Sequence, residues 1–197
     1  MKSTDPLLHA WEATLARKSG TPAIFDSRGN VARTFEEIES EAALLQEKLQ
    51  DRGRGDVFAI DLGNDPAWPA TLLACLRQGL VALPLDESTT AHHRQEMVAF
   101  CRHREWSEQP PVLLKLTSGT TAAPRAIRFR SAQLLADCEQ ICDTMGITDR
   151  DVNFGVIPVS HSYGFSNLIT PLLARGVALV LSRDRMPRAV LDDLART

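Results

Sequence analysis

The chain has 197 residues, 44% apolar and 24% charged, with 22 basic against 25 acidic side chains and a net charge of −3. That composition excludes a mainly disordered chain and, without a basic excess, gives no support to a nucleic-acid binder. No apolar run approaches the ~18–20 residues that span a bilayer, no ~7–15-residue apolar signal core opens the chain, and four cysteines in this length make no disulfide framework, so a reduced, cytoplasmic protein with no membrane partner is expected.

Helix and strand patterns alternate throughout, which predicts an α/β fold with a mostly parallel sheet flanked by helices. Leu7, Leu8, Trp11 and Leu15 recur at helical spacing, and Gly20-Thr21-Pro22 breaks that helix. Ala23-Ile24-Phe25 reads as a strand and Ser27-Arg28-Gly29-Asn30 as a turn. Thr34 and Glu37 have the spacing of a capping box, and Phe35, Ile38, Ala42, Leu45 and Leu49 continue it as a helix ending near Gly53. Residues 57–62 read as a strand. In Gly63-Asn64-Asp65-Pro66, Asn64 or Asp65 reads as a helix cap and Pro66 as the first turn. That helix runs through Leu72, Leu73 and Leu76 to a terminal Gly79. Residues 80–85 are the next strand and 91–104 the next helix. Gln109-Pro110-Pro111 is a linker, and a subdivision is expected near 105–112.

Residues 112–116 form an apolar strand that opens directly into Thr117-Ser118-Gly119-Thr120-Thr121. Ile127 and Phe129 alternate with Arg128 and Arg130, as in a strand with one solvated face. Ser131 reads as the cap of a helix through Leu134, Leu135, Cys138, Ile141 and Cys142. Residues 152–157 and 177–181 are strands, and 187–195 a final helix. No C-cap follows Leu194, so residues 1–197 read as one α/β domain that is the N-terminal fragment of a larger one. The strand at 177–181 and the final helix are expected to miss neighbours there, leaving an apolar face that promotes self-association.

The segment after the strand at 112–116 carries the chemistry. Thr117, Ser118, Thr120 and Thr121 surround Gly119, so amides and hydroxyls can converge on an anion without charge cost. Arg125 could place a cation on the same anion. The G-x-x-x-x-G-K-[ST] loop is absent. The composition suits a phosphate grip and a plain polar turn equally well. His161 is open in the same way, as a functional histidine or one held in a loop.

Longer stretches add a resemblance. LLKLTSGTTAAPRAIRF is similar to the phosphate-loop motif of the adenylate-forming superfamily: acyl-CoA synthetases, nonribosomal adenylation domains and luciferases. Thr34-Phe35-Glu36-Glu37-Ile38, Gly55-Asp56-Val57 with Leu62-Gly63-Asn64, and Gly79 to Asp86 resemble other segments of the family in the expected order. Pro158-Val159-Ser160-His161-Ser162-Tyr163-Gly164 is similar to its P-x-x-H-x-x-G motif, and Pro171 to Gly176 to the segment after it. Ala122 stands where the family has glycine, and Arg125 where it has lysine.

The resemblance implies ATP and Mg2+ as cofactors, a carboxylic acid as substrate, and coenzyme A or a phosphopantetheine carrier protein as thiol acceptor. It implies that Thr117, Ser118, Gly119, Thr120, Thr121 and Arg125 hold ATP phosphates, and that His161, Tyr163 and Gly164 shape the acyl and carboxylate pocket. The family's adenine and ribose contacts, magnesium-binding glutamate, hinge and C-terminal lysine have no counterpart in these 197 residues. The fragment is therefore expected to contain no catalytic residue and to be inactive by itself. The alternative is a non-catalytic remnant that binds nucleotide or a partner. No metal site is expected: Cys138 and Cys142 read as packing residues, His92-His93 as a solvated helix start, and Trp11, Trp68 and Trp106 as packing anchors.

Overall fold

The computed structural model describes residues 5–102, 106, 109–117, 125–182 and 187–195. Helix α1 (Pro6–Lys18) begins where the Asp5 carboxylate accepts from the Leu7 and Leu8 amides at 2.9 and 3.1 Å. Strands β1 (Pro22–Asp26) and β2 (Val31–Thr34) form an antiparallel hairpin. Helix α2 (Phe35–Lys48) has the predicted box: Thr34 Oγ1 accepts from the Glu37 amide at 3.2 Å, and Glu37 Oε2 from the Thr34 amide at 2.7 Å. Next come β3 (Val57–Ile60), α3 (Trp68–Gln78), β4 (Val81–Pro84), α4 (Ala91–Arg102), β5 (Leu113–Thr117), β6 (Arg125–Phe129), α5 (Ser131–Met145) and β7 (Val152–Gly155). A helical stretch then runs as α6 (Ser162–Gly164), a π turn (Phe165–Ile169) and α7 (Thr170–Arg175), before β8 (Ala178–Leu181) and α8 (Pro187–Leu194).

The strands divide into two sheets of four, in the orders β2-β1-β8-β7 and β3-β4-β5-β6. In each, one pair at an edge is antiparallel and the other pairs are parallel. The alternation of strand side chains assigns the faces of the second sheet. Ile60, Ala82 and Leu113 point into a large core shared with α1, α2, α3, α7 and the first sheet's Ile24 and Leu179. Val57, Val81, Leu83 and Leu114 point the other way, against Cys101, Met97 and Val98 of α4.

Three sequence expectations change. Strand β8 lies between β1 and β7, and Val177, Leu179, Val180 and Leu181 are all buried. The expected unpartnered strand is therefore interior, and among the described residues after it the exposed large apolar side chains are Leu191 and Leu194 of α8. Ser131 is the first residue of α5 rather than its cap, and its hydroxyl donates to Asp5 instead. Helix α3 begins later than predicted and has no side-chain cap; Asp65 Oδ1 accepts from the Ala67 amide one turn earlier, at 2.9 Å.

Asn64 leaves its predicted capping position to join the sheets. Its Nδ2 donates to the carbonyls of Gly155, Ile157 and Ser182 at 3.2, 3.4 and 3.0 Å, and its Oδ1 accepts from the Val159 amide at 3.0 Å. Glu39 makes a second long-range knot, accepting from Trp11 Nε1 at 2.8 Å and from Arg77 at 2.7 Å. Burial alone would raise its carboxyl pKa, but the Arg77 and Trp11 bonds outweigh that and hold it below the ordinary range.

Asn64→Ala should cost about 2–4 kcal/mol, because a buried amide and buried carbonyls lose partners that water does not replace. Denaturant titration should show a lower midpoint at unchanged slope. A change within ~0.5 kcal/mol, typical of surface substitutions, would mean that the tie contributes nothing.

Candidate functional site

The site forms at the carboxyl ends of β4 and β5, where open α/β sheets bind ligands. Strands β5 and β6 pair antiparallel from Leu113 with Phe129 to Thr117 with Arg125. Thr117 Oγ1 accepts from the Arg125 amide at 3.3 Å, so two residues of the predicted phosphate grip are cross-strand partners, and both are exposed. Ser118, Gly119, Thr120 and Thr121, with Ala122, lie outside the described residues.

The second wall comes from the segment after β7. His161 caps α6 through its backbone, with φ −78° and ψ 151°, and its amide donates to the Pro158 carbonyl at 3.0 Å. Gly164 explains itself by space. Its φ of −60° is open to any residue, but a Cβ there would lie 2.2 Å from the Pro158 carbonyl oxygen. Glycine at this position lets α6 close onto the segment that carries His161.

Thr117, Ser160, His161 and Ser162 line one cavity of about 430 Å³, with Asp86 and Lys115. That size is within the usual range for small-molecule sites. Tyr163, 61% exposed, lines an adjoining wider groove of about 870 Å³ between α5 and α6, and Ser162 faces both. The structure thus brings His161 to Thr117, puts Tyr163 in the neighbouring groove, and leaves Gly164 as a buried steric residue. Among the described residues no group of three His, Cys, Asp or Glu side chains gathers to hold a metal. Cys138 and Cys142 are buried, and burial, the main cause, with the neighbouring Cys142 pushes the Cys138 thiol up to about 12.

Lys115 is the cavity residue that the sequence reading passed over. It is 7% exposed, its Nζ has no hydrogen-bond partner among the described residues, and it sits 4.6 Å from the centre of the Phe165 ring. Burial draws its pKa down to about 8, opposed by the Asp137 carboxylate. The available signal was a lysine inside an apolar strand, on the same face as buried Leu113.

Two partly parallel sheets with a hydroxyl-rich cavity at the strand ends define an α/β architecture whose candidate site lies where open sheets of this kind bind ligands. The sequence pattern of the AMP-binding enzyme family matches residues 11–104 and 100–197, and the chain belongs to that family. No curated protein matches it in sequence. Among solved structures it is similar in fold to VinN in complex with L-aspartate (18% identity, 95% of this chain and 64% of that one, TM-score 0.75). It is likewise similar to O-succinylbenzoate coenzyme A synthetase from Bacillus subtilis in complex with ATP and magnesium (17%, 95% and 60%, 0.76). A third is the Klebsiella oxytoca NpsA N-terminal subdomain in complex with anthranilyl-AMSN (19%, 95% and 56%, 0.74). The chain therefore spans between 56% and 64% of the length of these proteins.

Lys115→Met should stabilise the fold by about 1–3 kcal/mol at neutral pH, since it removes a buried cation with no hydrogen-bonded counterion. Below about pH 8 the lysine is charged in folded and unfolded chains alike, and the penalty is complete. As pH rises from about 8 towards 10.5 only the unfolded chain still holds the proton, so wild type should gain on the variant. Paired unfolding curves from pH 7 to 10 measure the difference; a variant less stable throughout would refute the assignment.

Proposed function

We propose that this chain is the N-terminal part of an ATP-dependent ligase that activates a carboxylic acid as its acyl-adenylate and passes the acyl group to a thiol, of coenzyme A or a carrier-protein phosphopantetheine. The observation that carries the reading is the AMP-binding family match across residues 11–197. The shared cavity of Thr117 and His161 supports it.

The donor set suits a triphosphate. Thr117 offers a hydroxyl at the carboxyl end of a strand, and the exposed Arg125 beside it a guanidinium, which forks onto phosphate oxygens. In this reading Thr117, Ser118, Gly119, Thr120, Thr121 and Arg125 hold the β- and γ-phosphates, while His161 orients the acid, with Gly164 fixing its segment and Tyr163 bordering the acyl groove. With no carboxylate cluster among the described residues, Mg2+ would arrive on the phosphates, as it commonly does. When bound, ATP supplies the adenylyl group and pyrophosphate as leaving group. A weak nucleophile meeting a polyanion needs alignment and charge neutralisation more than proton transfer. These residues supply both, and none of them has to change protonation state.

The 197-residue chain by itself should show no acid-dependent exchange of labelled pyrophosphate into ATP, because the family's adenine, ribose and lysine motifs are not among its residues. In an adenylating protein that contains this chain, Arg125→Ala should lower turnover about ten- to a hundredfold through the loss of one charge-assisted phosphate contact. His161→Ala should act mainly on the acid. If Arg125→Ala altered only the KM for the acid and left the ATP parameters intact, the phosphate assignment would be wrong.

A further inference from the structure

We propose that Lys115 selects the acid: its buried ammonium binds a second anionic group on the substrate, so the site favours acids that carry a negative charge besides the carboxylate to be activated. This rests on the adenylation reading above and adds to it the class of acid.

The argument starts from position. Lys115 shares a face of β5 with buried Leu113, the face turned to the large core. A lysine on a strand that needed only packing or solubility would be apolar there, or would stand on a solvated face. Here the residue is 93% enclosed and its ammonium is buried against the ring of Phe165, the first residue of the π turn that follows α6. A ring face attracts a cation far less than an anion does, and it leaves the three N–H donors unused. The carboxylate that acts on it, Asp137 of α5, is exposed and makes no hydrogen bond with it. Buried charges in proteins are paired or bound to a ligand, and this one lines the cavity of Thr117 and His161.

Depth then separates Lys115 from the phosphate grip. It precedes Thr117 by two residues, which along a strand is about 6–7 Å further from the sheet edge. Phosphates held at the edge and an acid oriented by His161 leave the region beneath to the distal end of the acid. A cation at that depth meets the far end of the substrate.

The test is equilibrium calorimetry on the full-length protein of which the adenylation reading makes this chain the N-terminal part, and on its Lys115→Met variant, with Mg-ATP and three pairs of acids: malonate with propionate, succinate with butyrate, and glutarate with valerate. Wild type should prefer at least one dicarboxylate over its partner by about tenfold, the effect of one charge-assisted hydrogen bond. Lys115→Met should reduce that preference to within about twofold and leave Mg-ATP affinity unchanged. Lys115→Arg, which keeps the charge, should retain part of it. Absence of a dicarboxylate preference in wild type overturns the inference, whatever Mg-ATP does. So does a preference that survives in Lys115→Met, or a variant that loses Mg-ATP instead, which would give the lysine to the phosphates. A Lys115-dependent preference in a full-length protein that does not bind Mg-ATP would sustain the anion site while removing the adenylation reading.

Discussion

The carboxamide of Asn64 sits after the end of β3 in one sheet and takes its partners from the other: the carbonyls of Gly155 and Ser182 at the ends of β7 and β8, and the amide of Val159 on the way to His161. Thr117 belongs to the sheet of Asn64 and His161 to the segment that Asn64 binds. The distance across the cavity therefore depends on how the two sheets are held. A large apolar core joins them, but apolar contact is non-directional. The amide bonds are directional, and they lie where water cannot substitute for them.

A second close contact finishes the site. The absence of a side chain at Gly164 lets the chain return against Pro158 within a single turn. The helical stretch widens to a π turn at Phe165, whose ring meets Trp68 at 6.2 Å and the Lys115 ammonium at 4.6 Å. π turns often mark functional positions. Here the turn carries the aromatic ring over which the Lys115 ammonium lies.

The same region departs from what stability alone would select. An enclosed lysine with a lowered pKa and a backbone-capping histidine open to solvent are features a core-forming sequence would lose, and such departures collect where binding is done. The knot of Glu39, Arg77 and Trp11 shows the contrast: a half-buried charge elsewhere in the molecule has both a cation and an indole donor.

Local chemistry made much of the chain legible from sequence. The capping box at Thr34 and Glu37 and the apolar spacing of α1 and α2 each involve residues within a few positions of one another, so their partners are in view along the chain. Strand β2 escaped because four residues, Val31 exposed and the rest half-buried, carry almost no period. The helical stretch from Ser162 to Arg175 was hidden by Gly164 and Pro171, residues that usually break helices. Tertiary structure alone decided the rest: the division of the strands into two sheets, the interior place of β8, the recruitment of Asn64 away from its helix, and the enclosure of Lys115. Each of these depends on groups that are distant in sequence, up to 118 positions apart for Asn64 and Ser182. The physical reason is common to all: a residue type and its local spacing set which bonds a side chain is able to make, whereas burial and long-range approach select the ones it does make.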